Sequence, residues 1–355
     1  MKGFGIIKPM EEVGWIEKEM PVAGPYEAVL EPVALIPCTS DVDTAAENPN
    51  AAVGRILGHE GVGRIVSVGS EVKDFKPGDV VAVPAVTPMW RNLDVQDCNH
   101  QHSGGYLGGR YLSSKWDGMF AEYFKVPDVD LNVAKIPEGV SLEAAALVGD
   151  MVTTGFHGVE LADVKFGDRV CVIGIGPVGL MSVAGCALRG ASEIYAVGHR
   201  PITRQLAMEY GATATVDYQD GPIVEQIMKL TGGQQIEKVI IAGGEPTVFN
   251  DALALVKYTG TVANLAGHGR TELLLPIYTN ESGFGFCAHK TVTGGLCPGG
   301  RRRIERLMDM VKAGRFEPEK LITHKFYGYE GIEQAFNLMK SRSQEVVKPI
   351  IYFDR

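Results

Sequence analysis

Two short segments carry side chains that suit a divalent metal. One is Cys38-Thr39-Ser40-Asp41, directly after the apolar run ending at Ile36-Pro37. The other is Gly58-His59-Glu60-x-x-Gly63, with Gly69 and Val72 at further fixed offsets. Thiolate and imidazole are natural ligands of Zn²⁺, and a catalytic zinc takes three protein ligands and keeps a fourth position open. Asp150, within Gly149-Asp150-Met151, is a candidate third ligand. Cys38 or His59 alone reads as a core residue; together, in these settings, they point to metal chemistry. No C-x-x-C occurs, which excludes a zinc ribbon or a thioredoxin-type pair.

A second chemical element follows. Gly174-Ile175-Gly176-Pro177-Val178-Gly179 succeeds the apolar run Val170-Cys171-Val172-Ile173 and opens a helical pattern. In that strand–turn–helix setting the glycines serve a tight turn, the approach of a pyrophosphate, and close helix–strand packing. The free N–H groups of the helix start then face the anion. The end of the next strand selects the nicotinamide, because an NAD site carries Asp or Glu there for the ribose hydroxyls. Here Ala196-Val197 leads into Gly198-His199-Arg200. No carboxylate repels a 2′-phosphate and a guanidinium is present to pair with one, so NADP(H) is expected.

These groups need a scaffold. The first half reads as short strands, among them Ala28 to Leu35, Gly61 to Val68 and Val80 to Pro84, with Lys76-Pro77-Gly78-Asp79 as a turn. Near residue 150 the rhythm changes to alternating strand and helix. Strands are expected at Asp168 to Ile173, Glu193 to Val197, Lys238 to Ala242 and Thr261 to Leu265. Helices are expected around Pro177 to Leu188, Arg204 to Tyr210 and Pro246 to Tyr258. That is the rhythm of a doubly wound parallel sheet. Helices at Arg302 to Lys312 and Ile332 to Met339 and a strand at Lys348 to Tyr352 close the chain. No repeat of 20 to 50 residues and no low-complexity tract is present.

The 355 residues exceed one ordinary core, so two domains are expected. A formal net charge of −9 argues against nucleic acid or an anionic membrane as partner. Cys171 to Leu188 is free of charge over 18 residues and imitates a membrane span, but its four glycines and proline read better as strand, turn and helix. The six cysteines lack the spacing of a disulfide scaffold, and Met1 to Met10 is no basic-then-apolar leader, so a reducing cytoplasm is expected. Cys171 and Cys186 read as small core residues.

The glycine-framed His59-Glu60 segment resembles the zinc signature of the medium-chain alcohol dehydrogenases. The likeness runs along almost the whole chain and is greatest to the NADP-dependent tetrameric secondary alcohol (isopropanol) dehydrogenases. It includes Val13 to Lys18, His100 to Gly105, Met151 to Gly158 and Gly294 to Arg301. It implies a β-rich GroES-like catalytic zinc domain, residues 1–153 and 295–355, around a Rossmann NADP-binding domain, residues 154–294. It implies zinc on Cys38, His59 and Asp150, with Glu60 as a nearby or alternate ligand. Gly198, His199, Arg200 and Tyr218 would surround the adenosine phosphate, and Thr154, Leu265, Ala266, Gly267 and Lys340 would lie along the cofactor. Ala85 and Arg110 would line the substrate pocket. In the resembled mechanism zinc acts as a Lewis acid on the substrate oxygen, NADP(H) exchanges the hydride, and Ser40 passes a proton towards Asp43.

Departures from the pattern bear on the substrate. Relatives commonly carry His where this chain has Asp43 and Trp where it has Arg110, and Ala266-Gly267 replaces a larger polar and aromatic pair. Thr44 to Arg55 matches poorly. The four cysteines of a structural zinc reduce here to Cys98, so that site is expected to be absent, and His100-x-His102 reads as structural. Expected partners are a small alcohol or ketone and a homotetramer, with no nucleic acid and no membrane. If Arg110 binds a polar substrate group, the alternative is an NADP-dependent reductase of a polar ketone. Rivals are an NAD-linked polyol or butanediol dehydrogenase, a zinc-free quinone reductase, and a non-catalytic NADP-binding protein of this fold, as in some lens crystallins. The intact ligand set and Gly198-His199-Arg200 argue against them.

Overall fold

Turn-punctuated alternation in the first leg of the chain resolves into short strands. The computed structural model describes residues 1–97, 116–268, 272 and 289–353. The strands of this leg are β1 (Lys2–Lys8), β2 (Glu12–Glu17), β3 (Ala28–Leu35), β4 (Gly61–Val68), β5 (Val80–Val83), β6 (Phe124–Val126) and β7 (Ala134–Lys135). Helix α1 (Thr39–Glu47) leaves the end of β3; α2 (Val129–Asn132) and α3 (Leu142–Leu147) come later. A π turn, Val148–Val152, runs from α3 into α4 (Thr153–Leu161).

The chain then builds a second unit, Thr154–Leu296. Its elements are β8 (Arg169–Ile173), α5 (Pro177–Leu188), β9 (Glu193–Val197), α6 (Pro201–Glu209), β10 (Ala214–Val216), α7 (Ile223–Leu230), β11 (Ile236–Ile241), α8 (Val248–Leu255), β12 (Val256–Asn264) and β13 (Thr291–Gly294). The six strands pair in parallel in the order β10-β9-β8-β11-β12-β13. Strand order reverses between β8 and β11, which leaves a crevice outside the carboxyl ends of the neighbouring strands. One face of the sheet is sealed by Cys171, Ile173, Val239, Ile241, Val262 and the apolar sides of α7 and α8.

The last leg rejoins the first unit, Met1–Thr153 with Cys297–Arg355. It supplies α9 (Arg301–Lys312), β14 (Ile322–Tyr327), α10 (Glu330–Lys340) and β15 (Lys348–Tyr352). The main sheet of this unit runs β14-β15-β3-β4-β5-β7, with β6 also on β3. The last strand thus reaches the sheet centre: β15 pairs antiparallel with the end of β3, shortly before Cys38. Pro32 lies within β3 and cannot donate to the ladder, and the β3–β4 register shifts between Pro32 and Ala34. Phe4, Leu30, Leu35, Phe120, Phe124, Ile332 and Phe336 fill the core on one side of this sheet.

One expected element differs. A helix from Pro246 to Tyr258 is broken in the structure: α8 ends at Leu255 and Val256 already begins β12. Val256 is fully buried and opposes Ile236, and Thr259 takes a left-handed φ of 66° where the register shifts. Pairing across the sheet overrides the helical spacing of the apolar residues. The stretch Cys171 to Leu188 is strand, turn and a 12-residue helix, and no helix among the described residues is long and apolar enough to cross a membrane.

Candidate metal and cofactor sites

Three elements of the first unit converge on one point. Cys38 is the N-cap of α1, His59 precedes β4, and Asp150 is the middle residue of the π turn. Single-turn π bulges are frequent at functional sites. One ligand atom from each residue lies within 4.8 Å of the others, and His59 Nε2 is 3.5 Å from an Asp150 carboxylate oxygen. Bonds of about 2.1 Å to a tetrahedral zinc put two ligand atoms about 3.4 Å apart, so the donor set and its spacing fit that ion.

The orientation of His59 comes from a residue that sequence reasoning passed over. Asp41 is fully buried, and its carboxylate lies 3.0 Å from His59 Nδ1. The same carboxylate accepts the backbone N–H groups of Cys38 at 2.9 Å and Gly58 at 3.0 Å. It therefore ties both ligand segments together and leaves Nε2 as the nitrogen that faces the cluster. The available signal is positional: Cys38 caps a helix, and an acidic residue three positions on returns to the cap N–H. Burial acts to lower the His59 pKa, but the Asp41 charge and the hydrogen bonds with Asp150 and Asp41 outweigh it and hold the pKa well above its ordinary value.

Glu60 is fully buried, and Oε2 accepts from Lys348 Nζ at 2.7 Å. The Lys348 ammonium, 1% exposed, also donates to Pro37 O at 3.2 Å, next to Cys38. Burial pushes the Glu60 carboxyl above its usual range against the pull of Lys348. Burial acts to lower Lys348, while Cys38, Glu60 and Asp150 overcome it and keep the amine protonated. Glu60 Oε1 has no hydrogen-bond partner among the described residues, which leaves a buried oxygen in reserve beside the cluster. Glu60 lies outside the three-residue cluster itself.

Ser40 Oγ stands 3.2 Å from His59 Nε2. Asp43 lies further along α1 and forms an ion pair with Arg342 at 3.8 Å. Ala85 is buried, and its N–H donates to Gly149 O at 3.0 Å, at the head of the π turn. Arg110, Cys98, His100, His102 and Cys287 lie outside the described residues.

In the second unit a cavity of about 660 Å³ opens at the reversal of strand order. It is lined at the strand ends by Ile173, Val197 and Ala242 and above them by Gly174, Ile175, Gly176, Gly198, His199, Arg200 and Tyr218. Gly174 has a φ of 88°, the left-handed region that favours glycine. A Cβ on Gly179 would fall 1.9 Å from Gly174 O, so no side chain fits there. Pro177 and Val178 form the first turn of α5 behind Gly176, and that turn has no acidic residue. Free N–H groups and the helix dipole suit a pyrophosphate at this place.

Arg200 caps α6 in the cavity wall, and burial lowers its pKa, a cost that an anion alongside would offset. His199 Nδ1 and Tyr218 OH are 2.5 Å apart. The other charged lining residue is Glu245, which is exposed. Thr154 begins this unit on α4, and Leu265, Ala266 and Gly267 follow β12; none of the four is among the lining residues. Lys340 is exposed at the end of α10 in the first unit.

Residues 24–138 match the family model described as an alcohol dehydrogenase GroES-like domain, and residues 177–313 match that of a zinc-binding dehydrogenase. Over 355 residues the chain is 53% identical to the NADP-dependent isopropanol dehydrogenase of Thermoanaerobacter brockii, with 99% of each chain covered. It is 50% identical, at the same coverage, to the NADP-dependent isopropanol dehydrogenase of Clostridium beijerinckii. The apo structure of zinc dependent alcohol dehydrogenase 2 from Streptococcus pneumonia is similar at a TM-score of 0.88, with 29% identity and 100% and 99% of the two chains covered.

Proposed function

The chain belongs to the zinc-containing medium-chain alcohol dehydrogenases, and from that premise we infer that it transfers a hydride between NADP(H) and a small secondary alcohol or ketone. The observation that carries this reading is the meeting of Cys38, His59 and Asp150 in one unit of a chain whose other unit has a dinucleotide-type cavity. Bound zinc supplies a Lewis acid for alcohol or carbonyl, and NADP(H) supplies or takes the hydride.

The protein residues have separable tasks. Cys38, His59 and Asp150 hold the metal, Asp41 fixes the His59 ring, and Glu60 is a reserve donor kept in place by Lys348. Ser40 Oγ moves the substrate proton. Gly174, Gly176, Gly179 and the start of α5 take the pyrophosphate, and Arg200, flanked by Gly198, His199 and Tyr218, takes the 2′-phosphate. Propan-2-ol and acetone are the proposed substrates. A homotetramer, which rests on the family resemblance, and a cytoplasmic location, which rests on the cysteine pattern, are part of the same proposal.

Cofactor choice tests the second unit. Arg200→Ala is expected to raise KM for NADPH about tenfold or more, because a hydrogen bond between charged groups contributes roughly 1.5–3 kcal/mol. KM for NADH should stay nearly constant. Steady-state rates with both cofactors, across acetone, butanone and a diol, decide the matter. Equal losses with NADPH and NADH, or equal use of the two by the parent enzyme, would remove Arg200 from the role.

A further inference from the structure

Asp150 reaches the cluster from a π turn, and the aim of its carboxylate depends on what fixes that turn. At the head, Gly149 O accepts the Ala85 N–H at 3.0 Å. At the tail stands Thr153, whose backbone N–H donates to Asp150 O. Thr153 is 1% exposed, and its hydroxyl donates to Pro298 O at 3.2 Å. From α9, Arg303 reaches the same residue twice, with Nε 3.1 Å from Thr153 Oγ1 and Nη2 3.3 Å from Thr153 O. A planar guanidinium presents fixed donors that span two acceptors in this way, whereas a lysine ammonium is a point charge on a flexible stem.

A π turn holds its extra residue only where neighbours fix it, since i→i+5 turns are rare alone. Arg303 and Thr153 are 150 positions apart, so the contact is purely tertiary. We propose that Arg303 is a positioning residue for the metal: by gripping Thr153 at both oxygens it sets the π turn and so the placement of Asp150 towards Cys38 and His59. The proposal rests on the reading of Asp150 as a ligand. Arg303 touches neither metal nor substrate; it acts through the turn.

The experiment measures metal binding rather than turnover. Zinc affinity is determined by chelator competition, and the visible spectrum of the cobalt-substituted protein is recorded, for the parent, Arg303→Ala, Arg303→Lys, Thr153→Val and Asp150→Asn. Loss of a group that orients a ligand typically weakens metal binding 10–100-fold, and about that loss is expected for Arg303→Ala, with shifted cobalt bands. Arg303→Lys should recover only part of it, and Thr153→Val should lose affinity in the same direction by a smaller factor. A merely structural role would lower the melting temperature of the metal-free protein and leave affinity and spectrum unchanged. Parental zinc affinity and cobalt bands in Arg303→Ala would overturn the proposal; should that variant fail to fold, the same result in Thr153→Val would do so. If Asp150→Asn kept parental affinity, the ligand reading itself would fall.

Discussion

Cys38→Ser is expected to abolish tight zinc binding and turnover together while the fold survives. Serine is among the best N-cap residues, so α1 keeps its start when the sulfur is replaced. What is lost is a thiolate ligand. If the roughly 10–16 kcal/mol of a structural zinc site is divided over four ligands, one ligand accounts for about 2.5–4 kcal/mol, or about 10²–10³ in affinity. His59 and Asp150 remain, with the Glu60 carboxyl beside them, so residual zinc binding at micromolar metal is expected, without restored rate. Metal analysis, circular dichroism and kcat on the same preparation separate the outcomes. A folded Cys38→Ser protein with stoichiometric zinc and parental kcat would remove the sulfur from the ligand set.

Ser40→Ala has the second largest expected effect. Its Oγ lies 3.2 Å from His59 Nε2, and it occupies the first turn of α1, where alanine is well tolerated. Zinc content and helix should therefore persist. A positioned proton-transfer group contributes roughly 10²–10⁴-fold, and kcat should fall by about that much. Ser40→Thr, which retains a hydroxyl, should recover a substantial part. Asp43 lies on the same helix beside Arg342, so Asp43→His should change the pH–rate profile more than the maximal rate. Unchanged turnover in Ser40→Ala would mean that another group carries the proton.

What the sequence discloses depends on how local each determinant is. The turn Gly174 to Gly179 is legible because its strand, its glycines and the helix it opens are contiguous, and the structure has each in place. Cys38 and His59 are legible from their short flanking motifs. Asp150 is harder: a π turn breaks the 3.6-residue period from which helical faces are read. Asp41 becomes visible only once Cys38 is known to cap a helix, and Thr39–Glu47 gives little apolar signal of one. Lys348 gives none, because a lysine at the head of an apolar strand reads as a solvated end. Its burial depends on Glu60, 288 positions away. Val256 fails for the same reason, since its partner Ile236 lies across the sheet.

Metal analysis of purified protein, combined with propan-2-ol oxidation by NADP⁺ and by NAD⁺, is the most direct test of a zinc-dependent, NADP-linked alcohol dehydrogenase. One zinc per chain is predicted, with activity that falls on chelation, returns with added zinc, and strongly favours NADP⁺. Full activity in protein stripped of metal, or turnover with NAD⁺ as efficient as with NADP⁺, would contradict it.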